Sequence, residues 1–495
     1  MKEFDAEFDF NYEISQTADF IRSRNYSRVA LQFPDHLIKD SIRVVSSLND
    51  RLQDTDTRLY VMADTTFGSC CVDEVGAAHA NADCVIHYGH TCLSKTSTLP
   101  AFFVFGKAKI NVTRCVEKLS NHALTTSKPI LVLFGLEYAH AIQDIRKALT
   151  DVASRLHDSE SRSVFYYADV VSTIIEPSNT TSNGKLERVV CSTDTGDAKE
   201  AVTSKYSIGG LTWSLPKELK IEDCFLYWIG ADNSSFSNAV LTFNECEIIR
   251  YDAVEDFCVS DVSQLKRILK RRYYLVEKAK DANIVGILVG TLGVAGYLHM
   301  INQMKELISA AGKKVYTLAM GRPNPAKLAN FPECDVFVYV SCAQTALLDS
   351  KEFLAPVITP FEAMIAFNRG KQWTGAYMME FQNLITSCPV EVQEDQIEEA
   401  RFSFLQGGYV EDVDLQQADV TKENEGGPLS LVKASENALQ VRDKDSRSTI
   451  VKSGAEFLAG RSYQGLDYRK SSLPPQPLLV GRSGKASGYK NENIN

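Results

Sequence analysis

Short apolar runs without polar alternation recur along this chain, each closing near Gly, Asp, Thr or Pro. RVALQFP (28–34), RLYVMADTT (58–66), DCVIHYGH (83–90) and AFFVFG (101–106) come first. PILVLFG (129–135), SVFYYADV (163–170), CFLYWIGAD (224–232) and AVLTFNECEIIRYD (239–252) follow. The last set is NIVGILVGTLG (283–293), KKVYTLAMG (313–321), CDVFVYVSC (334–342) and APVITP (355–360). An antiparallel sheet with one wet face would alternate apolar and polar residues. Unbroken runs instead suit parallel strands buried on both faces. Helical periods lie between them, as in AHAIQDIRKALTDVASRL and YLHMINQMKELISAAG, with Gly312 placed to cap the second.

The strand–helix pattern comes round three times. At 495 residues the chain is too long for one hydrophobic core. The expected fold class is α/β: three tandem small α/β domains with mainly parallel sheets around a central site, followed by an extended C-terminal tail. The expected boundaries are 1–125, 126–276 and 277–410, with a linker and tail over 411–495. DVSQLKRILKRRYYLVEKAKD (261–281) reads as a basic helix joining the second domain to the third. Beyond residue 410 charges rise and aromatics thin out, the composition of a linker. GRSYQGLDY (460–468) and LPPQPLLVGRSGKASGY (473–489) are too short to build a core of their own.

A net charge of −10 and a pI near 5.5 argue against a general nucleic-acid binder. MKEFDAEFDF lacks the basic and apolar regions of a secretory signal. The longest apolar stretch, 284–298, holds four glycines and is shorter than a membrane span. No membrane association is expected, and the cytoplasm is the expected location. Its 12 cysteines should then be reduced thiols. Cys115, Cys191, Cys224, Cys246 and Cys258 stand singly in strand-like or helix-like text and read as small buried hydrophobes.

DTTFGSCCVDEVGAAHANADCVIHYGHTCL (64–93) is different, because it gathers four cysteines and three histidines. Ligands of open parallel sheets lie outside the carboxyl ends of the strands. Cys70 and Cys71 follow one such end, Cys92 follows a second, and Cys342 follows CDVFVYV far downstream. Cys71, Cys92 and Cys342 would converge if the domains turned these ends toward a common centre. Adjacent Cys70 and Cys71 point in different directions if extended, so one of them is expected to ligate. No paired CxxC motifs suggest a zinc ribbon. A local zinc site of Cys71, Cys92, His87 and His90 is one alternative. Three thiolates would leave one corner of a [4Fe–4S] cluster open. Incidental structural thiols are the bland reading. His87 and His90 read as satisfied structural histidines before second-shell donors. Asp64, Thr65 and Thr66 read as turn and capping residues.

The segments DTTFGSCCVD, HYGHTCL and YVSCAQTALLDSKEFLAPVITPFEA resemble the motifs of the diphthamide synthesis family, and GRSYQGLDY and GRSGKASGY resemble the tail of one eukaryotic member subunit. The resemblance covers nearly the whole chain. It implies three α/β domains around a [4Fe–4S] cluster held by three cysteines. It implies a reaction in which S-adenosylmethionine, bound at the open iron, yields a 3-amino-3-carboxypropyl radical that adds to a histidine of translation elongation factor 2. It also implies a heterodimer with a related catalytic subunit, supplied with electrons by a small iron protein and its reductase. One departure matters. Where the catalytic subunit has a cysteine in its middle domain, this chain reads YSIGGLTWSLP, with Leu211 in that place. The resemblance then implies Cys92 as the replacement ligand, giving Cys71, Cys92 and Cys342, with Cys70 as the alternative to Cys71. It makes this chain an auxiliary, electron-passing subunit, with S-adenosylmethionine used at the partner. Other readings are a cluster-free structural partner and a quinolinate-synthase-like enzyme.

Overall fold

The computed structural model describes residues 2–63, 67–155, 164–177, 203–260, 262–348, 352–368, 371 and 373–387. It also describes the short segments 401–403, 408–410, 440–442 and 448–450. All of them belong to the unit Met1–Arg461.

The apolar runs become three mainly parallel sheets. In the first, the strands run in the order Arg58–Met62, Arg28–Gln32, Cys84–Tyr88, Ala101–Val104 and Ile174–Ile175, and only the last pairs antiparallel. The second runs Phe257–Val259, Glu247–Asp252, Phe225–Ile229, Ile130–Phe134 and Phe165–Tyr167, with Phe257–Val259 antiparallel. The third is wholly parallel, in the order Lys314–Ala319, Ile284–Val289, Val336–Val340 and Val357–Ile358. Central strands Cys84–Tyr88, Ile130–Phe134, Phe225–Ile229 and Val336–Val340 are buried at every residue, as unbroken apolar text requires.

Successive side chains of a strand point to opposite faces. In the first sheet Val29, Leu31, Cys84 and Ile86 join Val44 and Leu48 in one core. Ala30, Val85 and Phe103 face the other way, into a core shared with the second sheet. Alternation therefore exists here, but both faces are apolar and it leaves no trace in composition.

Local signals work where they are strong. Gly312 adopts φ +72° after the helix Tyr297–Ala310, Lys313 N donates to Ile308 O, and Gly312 N donates to Ser309 O. That is a Schellman cap, which needs a left-handed residue at this point. The run AVLTFNECEIIRYD is only half strand. Ala239–Thr242 close the helix Ser234–Thr242, capped by Asn233 accepting from Phe236 N, and the strand is Glu247–Asp252. A buried helix end and a buried strand read alike when both are apolar. The basic segment is a helix, Val262–Lys280. Among the described residues no helix is long and apolar enough to cross a membrane. Gln440–Arg442 pairs antiparallel with Ser448–Ile450, a ladder the linker composition does not suggest. The GRSYQGLDY and GRSGKASGY motifs, and Cys191, lie outside the described residues.

One buried ion pair ties the basic helix to the third sheet. Thr359 caps the helix Pro360–Phe367, with Pro360 at its first turn and Glu362 closing a capping box. Arg272 grips both oxygens of Glu362, which also accepts from Tyr377 Oη at 2.9 Å and Thr359 N at 2.8 Å. Arg272 is 3 % exposed and Glu362 is fully buried. Removing one member of such a pair leaves a buried charge uncompensated. Arg272→Leu is expected to cost about 3–5 kcal/mol, read as a lowered denaturant midpoint. A midpoint within the error of the parent would show that the pair is not needed.

Candidate metal centre

Parallel strands end on one side, so the loops after them share that side. In the first sheet these loops carry Cys70–Cys71 and Cys92; in the third they carry Thr291–Gly293 and Cys342. The two loop sets meet. Cys70, Cys92 and Cys342 are buried within the apolar core of the third sheet, beside Val289, Val294, Tyr297 and Val340. Their three sulfurs all lie within 4.8 Å of one another. Cys342 Sγ is 3.9 Å from Cys70 Sγ.

Cys71 stands at the rim of this group. Its sulfur is 3.8 Å from Cys92 Sγ and 3.5 Å from Thr291 Oγ1. It also lines a cavity of about 240 Å³ that is bounded by Gly68, Val72, Asp73, Thr291 and Gly293. The sequence favours Cys71 over Cys70 beside Cys92 and Cys342. The structure draws Cys70 into the tight triad and keeps Cys71 as its neighbour. The ten described cysteines are all free.

The thiols share their protons. Hydrogen bonds from Cys70, and then from Cys71 and Cys92, hold Cys342 well below the usual thiol range. The same contacts with Cys342 push Cys70 and Cys71 upward. Thr345 Oγ1 lies 3.1 Å from the Cys342 sulfur and adds to the contacts that favour its anion. The scattered cysteines behave otherwise. Burial pushes Cys224 and Cys334 up to about 11 and Cys115 and Cys246 up to about 12. These are inert small hydrophobes, as their isolation in the sequence suggests.

Polar residues that follow the cysteines build the walls. Asp73 caps the helix Glu74–His79 by accepting from Gly76 N. Glu74, fully buried, accepts from Ser97 N, Thr98 N, Thr98 Oγ1 and Leu99 N at 2.6–2.9 Å. It thereby fixes the segment after Cys92, whose Lys95 O accepts from Ala295 N of the third sheet's loop. The signal for Glu74 in the sequence is weak: an acidic residue in a first helical turn is ordinary.

The middle of the chain reaches the site through a hairpin. Thr203–Ile208 and Leu211–Pro216 pair antiparallel around Gly209 and Gly210, which have φ +54° and +86°. A two-residue turn with both φ positive matches the twist of its strands and calls for glycine. A Cβ at Gly210 would lie 2.4 Å from Leu93 Cδ1, and one at Gly209 would lie 2.9 Å from Gln344 Nε2. The turn thus packs on the residues after Cys92 and Cys342. Leu211 itself is buried in the core shared by the first and second sheets.

His87 is buried, with Nε2 at 2.8 Å from Ser69 O, while His90 is exposed. Burial pushes the His87 imidazole down to about 4. Its Nε2 is engaged by the Ser69 carbonyl, and neither histidine joins the sulfur group among the described residues. Asp64, Thr65 and Thr66 lie outside the described residues.

Gly293 lies close against Val72 where the two loop sets meet. A Cβ at Gly293 would stand 2.0 Å from Val72 O. Gly293→Ala is expected to cost about 1–3 kcal/mol by forcing these backbones apart, read as a lowered thermal midpoint. An unchanged midpoint would mean that the junction yields freely.

The family description "Putative diphthamide synthesis protein" matches residues 33–378. The chain is 34% identical to the 2-(3-amino-3-carboxypropyl)histidine synthase subunit 2 of Danio rerio over 97% of this chain and 91% of that one. It is 35% identical to the protein of the same name in Schizosaccharomyces pombe, over 97% and 90%. To that of Homo sapiens it is 31% identical, over 98% and 94%. A solved structure, Dph2 from Pyrococcus horikoshii with a 4Fe-4S cluster, superposes with a TM-score of 0.52 at 18% identity. That superposition covers 74% of this chain and 94% of that one, and the likeness is one of fold.

Proposed function

The chain belongs to the family of diphthamide synthesis proteins, and from that premise we propose that it is the auxiliary, iron–sulfur-bearing subunit of a heterodimeric transferase. The enzyme moves a 3-amino-3-carboxypropyl group from S-adenosylmethionine to a histidine of translation elongation factor 2. The relatives' shared name makes them second subunits. A related subunit 1 is the partner this reading requires, and S-adenosylmethionine is consumed there.

The observation that carries the reading is the meeting of three buried, unpaired thiols from segments up to 272 positions apart. Thiolates are the soft donors that iron–sulfur groups take, whereas hard cations prefer oxygen. Cys70, Cys92 and Cys342 would hold a [4Fe–4S] group, with one iron left without a protein ligand. One-electron transfer is the chemistry such a group supplies when bound. The chain's own residues prepare the place. Its neighbours favour the Cys342 anion, Val289, Val294, Tyr297 and Val340 keep water away, and the Gly209–Gly210 turn packs on Leu93 and Gln344, just after Cys92 and Cys342. An apolar shell and a fixed ligand set tune potential and access.

Leu211 supports the auxiliary assignment, since a leucine at that position cannot ligate iron. Electrons would enter from a small iron protein and its reductase and leave toward the partner subunit's centre.

Two measurements test this. Anaerobic co-expression with the partner should give iron, sulfide and a paramagnetic signal in this chain. Replacing Cys70, Cys92 and Cys342 together by serine should abolish them, and full iron in that variant ends the ligand assignment. In the reconstituted complex the same variant should slow product formation driven by the small iron protein at least tenfold, while a strong chemical reductant restores it. Equal loss under both reductants would exclude the electron-passing role.

A further inference from the structure

The residues that deliver Cys70 and Cys71, from Gly68 to Val72, belong to no helix or strand. Their carbonyls are nevertheless held one after another. Ser69 O lies 2.8 Å from His87 Nε2, Cys70 O accepts from Cys92 N at 3.3 Å, and Cys71 O accepts from Gln32 Nε2 at 2.8 Å. Gln32 Oε1 in turn accepts from Asp73 N at 2.9 Å. The Gln32 amide therefore binds the backbone on both sides of Val72, as a neighbouring strand would.

Gln32 and His87 are not independent. They form the last pair of the ladder between strands Arg28–Gln32 and Cys84–Tyr88, registered directly against each other. Both follow the parity of Ala30 and Val85 and project from that face of the sheet. They are 1 % and 0 % exposed. A carbonyl oxygen can only accept, so the His87 ring carries its hydrogen on Nε2. Its Nδ1 has no partner among the described residues. A buried glutamine and a buried imidazole at the end of apolar strands cost desolvation that valine or leucine would avoid. The backbone they hold explains their presence.

We propose that Gln32 and His87 are positioning residues: a paired clamp that fixes the Ser69–Asp73 backbone so that the Cys70 thiol turns toward Cys92 and Cys342. The clamp rests on the metal-binding reading above for its purpose, while its geometry stands apart from it. Partners that orient a ligand are worth about 10- to 100-fold in metal affinity.

Hydrogen exchange on the full chain without metal is the first test. In the parent the Asp73 and Cys92 amides should exchange slowly, and Gln32→Leu should speed Asp73 at least tenfold. The second test is iron and acid-labile sulfide retained after anaerobic reconstitution with ferrous iron and sulfide. Gln32→Leu and His87→Leu should each retain about a tenth of the parent's content or less. His87→Gln, which keeps an N–H near the place of Nε2, should recover most of it. Fast Asp73 exchange in the parent overturns the proposal. So do leucine variants that reconstitute like the parent. If the leucine variants fail to fold, the parent's exchange and His87→Gln decide it, and a glutamine variant as empty as leucine counts against the clamp. A parent that takes up no iron would sink the metal reading, while the exchange rates still judge the clamp.

Discussion

The carboxyl ends of two parallel sheets have to meet for Cys70, Cys92 and Cys342 to share one space. The sulfurs do not bring this about, since protonated thiols attract one another weakly. Backbone contact does. Gly293 lies against Val72 O with no room for a side chain, and Ala295 N reaches across to Lys95 O. The apolar core of the third sheet then closes over cysteines contributed by the first. Packing of this kind is dense and does not deform continuously, so each sulfur inherits the position of its loop.

Two buried carboxylates show how an acidic chain uses charge for order. Glu74 accepts from three backbone amides and a hydroxyl in 97–99, and Glu362 is met by Arg272, Tyr377 and Thr359. Charge-assisted hydrogen bonds to backbone donors are about twice as strong as neutral ones. Both carboxylates work in segments that no regular ladder could hold. One secures the chain beyond Cys92, and the other secures the TPFE turn beside the third sheet. Neither belongs to the sulfur group, yet the first of them sets where its loop lies.

The fold is legible because buried parallel strands write themselves as unbroken apolar text, as VFVYV and ILVLF do. Ala239–Thr242 mislead for the same reason, since apolar text on a buried helix carries no period that marks it. At the centre, Cys92 and Cys342 are legible from their places after strand ends. How Cys70 and Cys71 divide the space is not, because neighbouring residues on an irregular loop have no fixed facing. Gln32 and Glu74 are invisible for a different cause. Their roles depend on which backbone atoms come near them, and one glutamine after VAL or one glutamate after CCVD looks like any other. Gly209–Gly210 announce a turn but not its seat against Leu93 and Gln344.

Cys70 and Cys342 are 272 positions apart. A ribosome adds about 5–20 residues per second, so the newborn chain carries Cys70 for roughly 14–54 seconds before Cys342 exists. Through that interval the amino-terminal sulfurs have no third partner and no closing core over them. Whatever is to be held by all three sulfurs must therefore arrive after Cys342 has been made, and those first thiols must stay reduced until then.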